Sequence, residues 1–123
     1  MKISSFNPLI VSQHSDDIIK LFEELGFEKR HKKTDIEGGE NSNTRLRDPN
    51  GFHVDVASSN HVPQDLMSIR INVDNFDEAY NFFMFHGFTN PRGDKVTETS
   101  SSRDTYLLSP SGFAVTLCHH IKK

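Results

Sequence analysis

The chain has 123 residues, of which 34% are hydrophobic and 25% charged, and a formal net charge of −3. This composition is typical of a globular protein of one domain. It argues against a nucleic-acid or anionic-membrane partner, which would select a basic surface, and no apolar run reaches the roughly 20 residues of a membrane-spanning helix. A single cysteine, Cys118, fits a reducing compartment, so we expect a cytoplasmic protein.

The chain begins with the pattern of a strand, a helix and a second strand. A strand over 5–12 is followed by Ser15, a residue type that caps helix N-termini. The helix has one apolar stripe at the spacing i, i+3, i+4, i+7, formed by Ile18, Leu21, Phe22 and Leu25. Gly26 suits the left-handed end of this helix. A second strand over 27–34 then leads into the polar segment 35–43, which we expect to be a connecting loop.

The next two strands form a hairpin around the turn sequence Pro49-Asn50-Gly51. Proline suits the first central position of a type I turn, and the glycine suits the bulge position of a three-residue loop. This loop length places Arg47 opposite His53 and Arg45 opposite Asp55. Each pair of opposite residues shares one face of the sheet.

The second half of the chain repeats the first at an offset of 61 residues. Leu25-Gly26-Phe27 returns as His86-Gly87-Phe88, and Asp48-Pro49-Asn50-Gly51-Phe52 returns as Ser109-Pro110-Ser111-Gly112-Phe113. Glycine and proline are common in the turns of all proteins, so one repeated motif of this kind could arise by chance. Two repeated motifs of several residues at the same offset indicate an internal duplication.

The second copy contains the same elements in the same order. A strand over 67–73 is followed by Asp74–Asn75, which can cap a helix. The helix again has one apolar stripe, formed by Phe76, Ala79, Tyr80 and Phe83. A strand over 95–99 precedes the second hairpin, whose turn places Tyr106 opposite Thr116.

The duplication, the helices ending in Gly-Phe, and the hairpins "LRDPNGFHVDV" and "LLSPSGFAVTL" resemble the vicinal oxygen chelate superfamily, which includes glyoxalase I, bleomycin-resistance proteins and extradiol dioxygenases. The resemblance implies an α+β fold of tandem β-α-β-β-β units whose curved mixed sheets surround a cavity. It implies a single domain over 1–123, built from repeat units 5–60 and 66–120. Its metal-free bleomycin-resistance branch further implies a homodimer.

Strand alternation divides the residues of the sheet between two faces. One helix covers one face, where we expect the apolar alternates Phe52, Val54, Val56, Ile69, Ile71, Val73, Phe113, Val115 and Leu117. The opposite face then presents the candidate ligand-binding residues, which are Asn7, Leu9, Arg45, Arg47, His53, Asp55, Ser68, Arg70, Asn72, Tyr106 and Thr116.

Metal-dependent members of the superfamily carry histidine or glutamate at four ligand positions. The resemblance places these positions at Asn7, Asp55, Ser68 and Thr116. Of the four, only Asp55 is a strong ligand for a transition metal, because neutral amide and hydroxyl oxygens bind such ions weakly. We therefore expect no catalytic metal and no cofactor.

Three of the candidate residues each have a functional and a structural interpretation. Arg70 either clamps an anionic group of a ligand, or forms an ion pair with Asp55 or another acidic residue, or is a solvated side chain on an open sheet. His53 and Asp55 are either a general base with its orienting carboxylate, or a solvated histidine beside an aspartate that pairs with Arg45 or Arg47.

Three functions are compatible with these residues. The first is a metal-independent protein that binds a small molecule, either anionic or antibiotic-like. The second is an enzyme related to glyoxalases and dioxygenases, of lyase or isomerase type, that uses His53, Asp55 and Arg70. The third is an interaction module with a vestigial pocket.

Overall fold

The structure is a computed structural model that describes residues 1–36 and 41–120. In this part of the chain it contains eight strands and two helices. In chain order they are β1 (Ile3–Ser12), α1 (Ser15–Glu24), β2 (Glu28–Ile36), β3 (Asn41–Arg47), β4 (His53–Ser58), β5 (Leu66–Val73), α2 (Phe76–Phe85), β6 (Thr97–Glu98), β7 (Ser102–Leu108) and β8 (Ala114–His120). Of the expected loop 35–43, both ends belong to strands, and residues 37–40 lie outside the described residues.

The chain forms two compact units. The first unit is Asn7–Met67, and the second unit combines Met1–Phe6 with Ser68–Lys123. Strand β1 is therefore divided, because its first four residues belong to the second unit and the rest belong to the first. Each unit contains one helix and a mixed sheet, which confirms the predicted α+β class of tandem β-α-β-β-β units. The single domain and the boundaries of the repeat units stay predictions.

In the first unit the strand order is β2-β3-β4-β1. Strands β1 and β4 are parallel, and the other neighbours are antiparallel. Helix α1 packs on one face of this sheet. The core consists of the buried side chains Ile19, Leu46, Val54 and Val56, with Ile10, Ile18, Phe22 and Phe27 packed against them.

Helix α1 differs from its prediction in two ways. Leu21 and Leu25 are 53% and 65% exposed, whereas Ile19 is buried. The helix thus packs through a face turned toward Ile19, and Leu25 is the C-cap residue outside the last turn. The N-cap is His14, with no side-chain capping bond, while Ser15 is a buried first helical residue.

In the second unit, β5 lies between β8 and the first residues of β1, followed by β7 and β6. The backbone N–H of Asp74 donates to the carbonyl of Lys2 at 3.1 Å. The predicted stripe of α2 is confirmed, and the Asn75 side chain caps the helix by accepting from the Glu78 N–H at 3.1 Å. The core consists of Ile71, Val73, Phe76, Ala79, Leu107, Val115 and Leu117, with Ile69, Tyr80 and Phe83 packed against it.

Both hairpins have the predicted register, and their second strands begin at His53 and Ala114. Arg47 pairs with His53 and Arg45 with Asp55, and Tyr106 pairs with Thr116. The prediction that Phe52 and Phe113 are buried beneath a helix is wrong, because they are 68% and 53% exposed. Each lies in the turn, one residue before its strand begins, so neither is held against the covered face.

Candidate functional site

A closed hydrogen-bond network lies on the first unit's sheet. The Asp55 carboxylate is 0% exposed, and it accepts from the Asn7 amide at 2.9 Å and from Arg45 Nε at 3.1 Å. The second terminal nitrogen of Arg45 donates to the Asn7 carbonyl oxygen at 2.8 Å. Each of the three side chains thus contacts the other two. Buried charge is stable only when it is paired and hydrogen-bonded in this way.

Three strands bring the members of this network together. The β3–β4 register places Arg45 opposite Asp55, and the parallel β1–β4 register pairs Asp55 with Leu9, so that Asn7 lies one step back along the same face. Asn7 and Leu9 are both 4% exposed, so the candidate face of β1 is buried. One of the predicted alternatives, Asp55 paired across the strands with Arg45, is confirmed.

His53 is half-buried at the start of β4, next to this network. Desolvation by burial lowers the pKa of His53 below its usual value of 6.5, and the positive charges of Arg45 and Arg47 lower it further. Asp55 opposes this shift, and Arg30 adds to it. The imidazole is therefore neutral at pH 7 and lies in a predominantly positive field.

In the second unit, the two positions that correspond to Asn7 and Asp55 also contact each other. The hydroxyls of Ser68 and Thr116 lie 2.7 Å apart, and both residues are buried. Farther along β5, Asn72 is 3% exposed, and its side-chain amide donates to the Ser5 hydroxyl. This face of the second unit is thus lined by buried neutral polar groups.

Arg70 and Tyr106 are half-buried on the same face of the second unit. Arg70 lies between Ser68 and Asn72 on β5, and it pairs with Thr116 on β8. Tyr106 on β7 pairs with Thr116 from the other side. Thr116 therefore lies between Arg70 and Tyr106 on neighbouring strands; the sequence predicted its pairing with Tyr106 and made no prediction for its pairing with Arg70.

The residues at the four ligand positions do not fit a transition-metal ion. The carboxylate of Asp55 is engaged by Asn7 and Arg45, and the two hydroxyls of the second unit bond to each other. Among residues 1–30 and 42–120, whose side chains the structure describes, no three histidine, cysteine, aspartate or glutamate side chains lie close enough to hold an ion. Amide and hydroxyl oxygens are weak ligands for such an ion, and an arginine beside the carboxylate repels it.

An apolar groove of about 330 Å³ lies in the first unit beside α1. Helix residues Ile18, Leu21 and Phe22 form one wall, and Leu66 and Met67 form another. The groove explains the exposure of Leu21, whose side chain lines an open surface instead of packing in the core. It contains none of the predicted site residues.

One residue of the site was missed by the sequence analysis. Arg30 contributes to the field at His53, and it lies where the β2–β3 register shifts between Lys29 and His31. A bulge changes the face to which the following residues point, so alternation could not assign Arg30. The basic sequence Lys29-Arg30-His31-Lys32-Lys33 was the available signal.

Comparison with known proteins gives matches at the level of structure. No protein-family model and no curated protein sequence matches the chain. A glyoxalase/bleomycin resistance protein/dioxygenase superfamily member from Vibrio splendidus 12B01 is similar with a TM-score of 0.63 and 15% identity, over 96% of this chain and 99% of that one.

Two enzymes of known activity are also similar in structure. Methylmalonyl-CoA epimerase from Mycobacterium tuberculosis has a TM-score of 0.71 and 12% identity, over 98% of this chain and 90% of that one. Glyoxalase I from Zea mays has a TM-score of 0.69 and 12% identity, over 98% of this chain and 44% of that one. Similarity at this level of identity establishes the fold, and function has to be argued from the site. The resemblance found in the sequence is confirmed at that level: the chain has the fold of the glyoxalase/bleomycin resistance/dioxygenase superfamily, the vicinal oxygen chelate fold.

Proposed function

We propose that this protein binds a small anionic molecule without a metal ion, on the face of the first unit that carries Arg45, Arg47 and His53. The observation that carries the proposal is the fixed guanidinium of Arg45. Its nitrogens donate hydrogen bonds to Asp55 and Asn7, which fix its position. Of the Arg45 side chain, 27% remains exposed. A guanidinium held in place loses little conformational entropy when it binds a carboxylate or phosphate.

The electrostatics of the same face support an anionic ligand. Arg45, Arg47 and Arg30 all lower the pKa of His53, and Asp55 raises it. An anion on this face is attracted by these arginines, and the carboxylate of Asp55 is paired with the Arg45 guanidinium. The neutral imidazole can donate or accept a hydrogen bond to orient the ligand.

The candidate residues of the second unit belong to the proposal as a separate group. Ser68, Arg70, Asn72, Tyr106 and Thr116 share one face of its sheet and offer hydroxyl, amide and guanidinium groups. Arg70 is the charged member of this group. We propose that it contacts an anionic group of the ligand.

The enzyme hypothesis has two supporting observations and one against it. A histidine with a lowered pKa is a competent base at neutral pH, and the similar structures include an epimerase and a glyoxalase. However, Asp55 accepts hydrogen bonds from Arg45 and Asn7, so its carboxylate positions Arg45. We therefore favour binding over acid–base catalysis by His53 and Asp55.

A thermal-shift screen tests the proposal. The library contains carboxylates, phosphates and anionic antibiotics, each with a neutral ester or amide analogue. We expect the anion of at least one pair to raise the melting temperature and its neutral analogue to have no effect. Arg47→Ala should weaken that ligand about tenfold, as expected for loss of one charge-assisted contact.

The matched control is Lys20→Ala, which removes the same charge from the exposed surface of α1. Its affinity should equal that of the unaltered protein. Equal losses in Arg47→Ala and Lys20→Ala, or binding of neutral analogues only, would refute an anion site on this face.

Two further expectations stay predictions. They are the homodimer and the cytoplasmic location. Among residues 1–36 and 41–120, neither helix has the length and apolar character needed to cross a membrane.

A further inference from the structure

We infer that Asn7 and Asp55 form a cation site whose resident cation is the guanidinium of Arg45. The inference rests on the metal independence of the proposed function and explains it. The resemblance to the vicinal oxygen chelate superfamily implies that Asn7 and Asp55 stand at two of its four metal-ligand positions. Here the chain supplies the positive charge from its own β3 strand.

The geometry of the three side chains supports this assignment. Asn7 and Asp55 offer an amide oxygen and a carboxylate oxygen to the same guanidinium, at 2.8 and 3.1 Å. The two residues also bond to each other at 2.9 Å, so both oxygens are held in position before any ion arrives. The two oxygens accept from two different nitrogens of the Arg45 guanidinium, Nε and Nη2, so their spacing matches a planar guanidinium.

Burial distinguishes this arrangement from an ordinary pair on the surface. Asp55 is fully buried, whereas 27% of the Arg45 side chain is exposed. An ion pair between two exposed side chains contributes little, but a buried carboxylate requires a partner. The exposed edge of Arg45 also gives a cation from solvent a route to the carboxylate when the arginine is removed.

The main variant is Arg45→Ala, and the measured quantity is the melting temperature at pH 7. We expect a fall of about 5 °C, because the buried carboxylate loses a cationic donor. Guanidinium chloride, at millimolar concentrations too low to denature, should restore part of this loss. Sodium chloride at the same concentration should restore nothing in Arg45→Ala, and Zn²⁺ or Ni²⁺ should leave the unaltered protein unchanged.

Two matched variants locate the effect. Arg47→Ala removes the same charge two residues along β3, from an exposed side chain, and should show no response to added cations. Arg45→Ala combined with Asp55→Asn keeps the shape of the site without its carboxylate. It should lose the cation response of Arg45→Ala.

A cation response in Arg47→Ala or in the double variant would show that the ion binds elsewhere, and this would overturn the inference. Absence of any response in folded Arg45→Ala would also overturn it, while leaving the proposed anion binding intact. A metal-induced rise in the unaltered protein would refute both the inference and the metal-independent function.

A second measurement covers the case in which Arg45→Ala does not fold. Nuclear magnetic resonance of the arginine Nε–H groups in the unaltered protein should show a slowly exchanging signal for Arg45. Excess Zn²⁺ should not change this signal, and Asp55→Asn should abolish its protection from exchange. A signal that exchanges as fast as that of Arg47 would show that Arg45 is not held, and would overturn the inference.

Discussion

The hydroxyls of Ser68 and Thr116 lie 2.7 Å apart although 48 residues separate them along the chain. Both residues are buried, so each hydroxyl needs a hydrogen-bond partner within the protein, and the other hydroxyl provides it. The corresponding pair in the first unit, Asn7 and Asp55, is bonded in the same way at 2.9 Å. The duplicated positions thus contact each other within both units, with charge in one unit and without charge in the other.

Removing one hydroxyl of this pair should cost more than removing both. Ser68→Ala leaves the buried Thr116 hydroxyl without its partner, and we expect a loss of about 1–2 kcal/mol in the free energy of unfolding. Ser68→Ala combined with Thr116→Val should lose less than the sum of the two single variants. Urea denaturation measures all three, and strict additivity would contradict a coupled pair.

The pKa of His53 should depend on the positive charges of the arginines around it. Followed by nuclear magnetic resonance, its midpoint should lie below about 6.5, the ordinary value, because burial and the arginines disfavour the imidazolium. Arg47→Ala removes one of these charges and should raise the midpoint, whereas Lys20→Ala should leave it unchanged. An unchanged midpoint in Arg47→Ala would show that the arginine does not act on His53.

The same shift predicts how stability depends on pH. The unfolded chain binds a proton at His53 more readily than the folded protein does, since the folded pKa is the lower one. Stability should therefore fall as the pH decreases through the interval between about 6.5 and the folded pKa. His53→Gln should remove this part of the decline, and an identical pH profile in both proteins would contradict the prediction.

The two helix-ending glycines offer a matched comparison. Both have positive φ, at +106° for Gly26 and +88° for Gly87, so alanine is strained at either position. A methyl group at Gly87 would also lie 2.9 Å from the Pro110 side chain, whereas none of the described atoms lies within 4 Å at Gly26. We expect Gly26→Ala to cost about 1 kcal/mol, and Gly87→Ala to cost clearly more in thermal unfolding.

The N-termini of the two helices differ in whether a side chain caps them. Asn75→Ala removes the side chain that accepts from the Glu78 N–H, and the loss should be about 1 kcal/mol. His14 makes no side-chain capping bond, so His14→Ala should change the free energy of unfolding little. Equal effects of the two substitutions on chemical denaturation would contradict the assignment of the caps.

Much of the site follows from local sequence rules. The Pro49-Asn50-Gly51 turn fixes the loop length, and the loop length fixes the register, so the Arg45–Asp55 pair was predictable. The part played by Asn7 was not predictable, because it depends on the parallel pairing of β1 with β4. No short-range signal sets the register of two strands so far apart in sequence.

The packing face of α1 shows where pattern alone is insufficient. Ile18, Ile19, Leu21 and Phe22 span about 160° of the helix surface at 3.6 residues per turn, which is wider than one packing stripe, so an edge with Leu21 and an edge with Ile19 compete. The sheet selects the face with Ile19, and Leu21 is left to line a groove. The second helix has its apolar residues on one face, and its stripe was predicted correctly.

The division of β1 between the two units has a consequence for how the chain is made. The first unit is one continuous segment, Asn7–Met67, and all of its partners have been synthesised once Met67 leaves the ribosome. The second unit joins Met1–Phe6 to residues more than 60 positions later, through bonds such as that between Lys2 and Asp74. During synthesis Met1–Phe6 therefore have no strand partner until β5 has left the ribosome. A fragment that begins after Met67 lacks one edge of its own sheet.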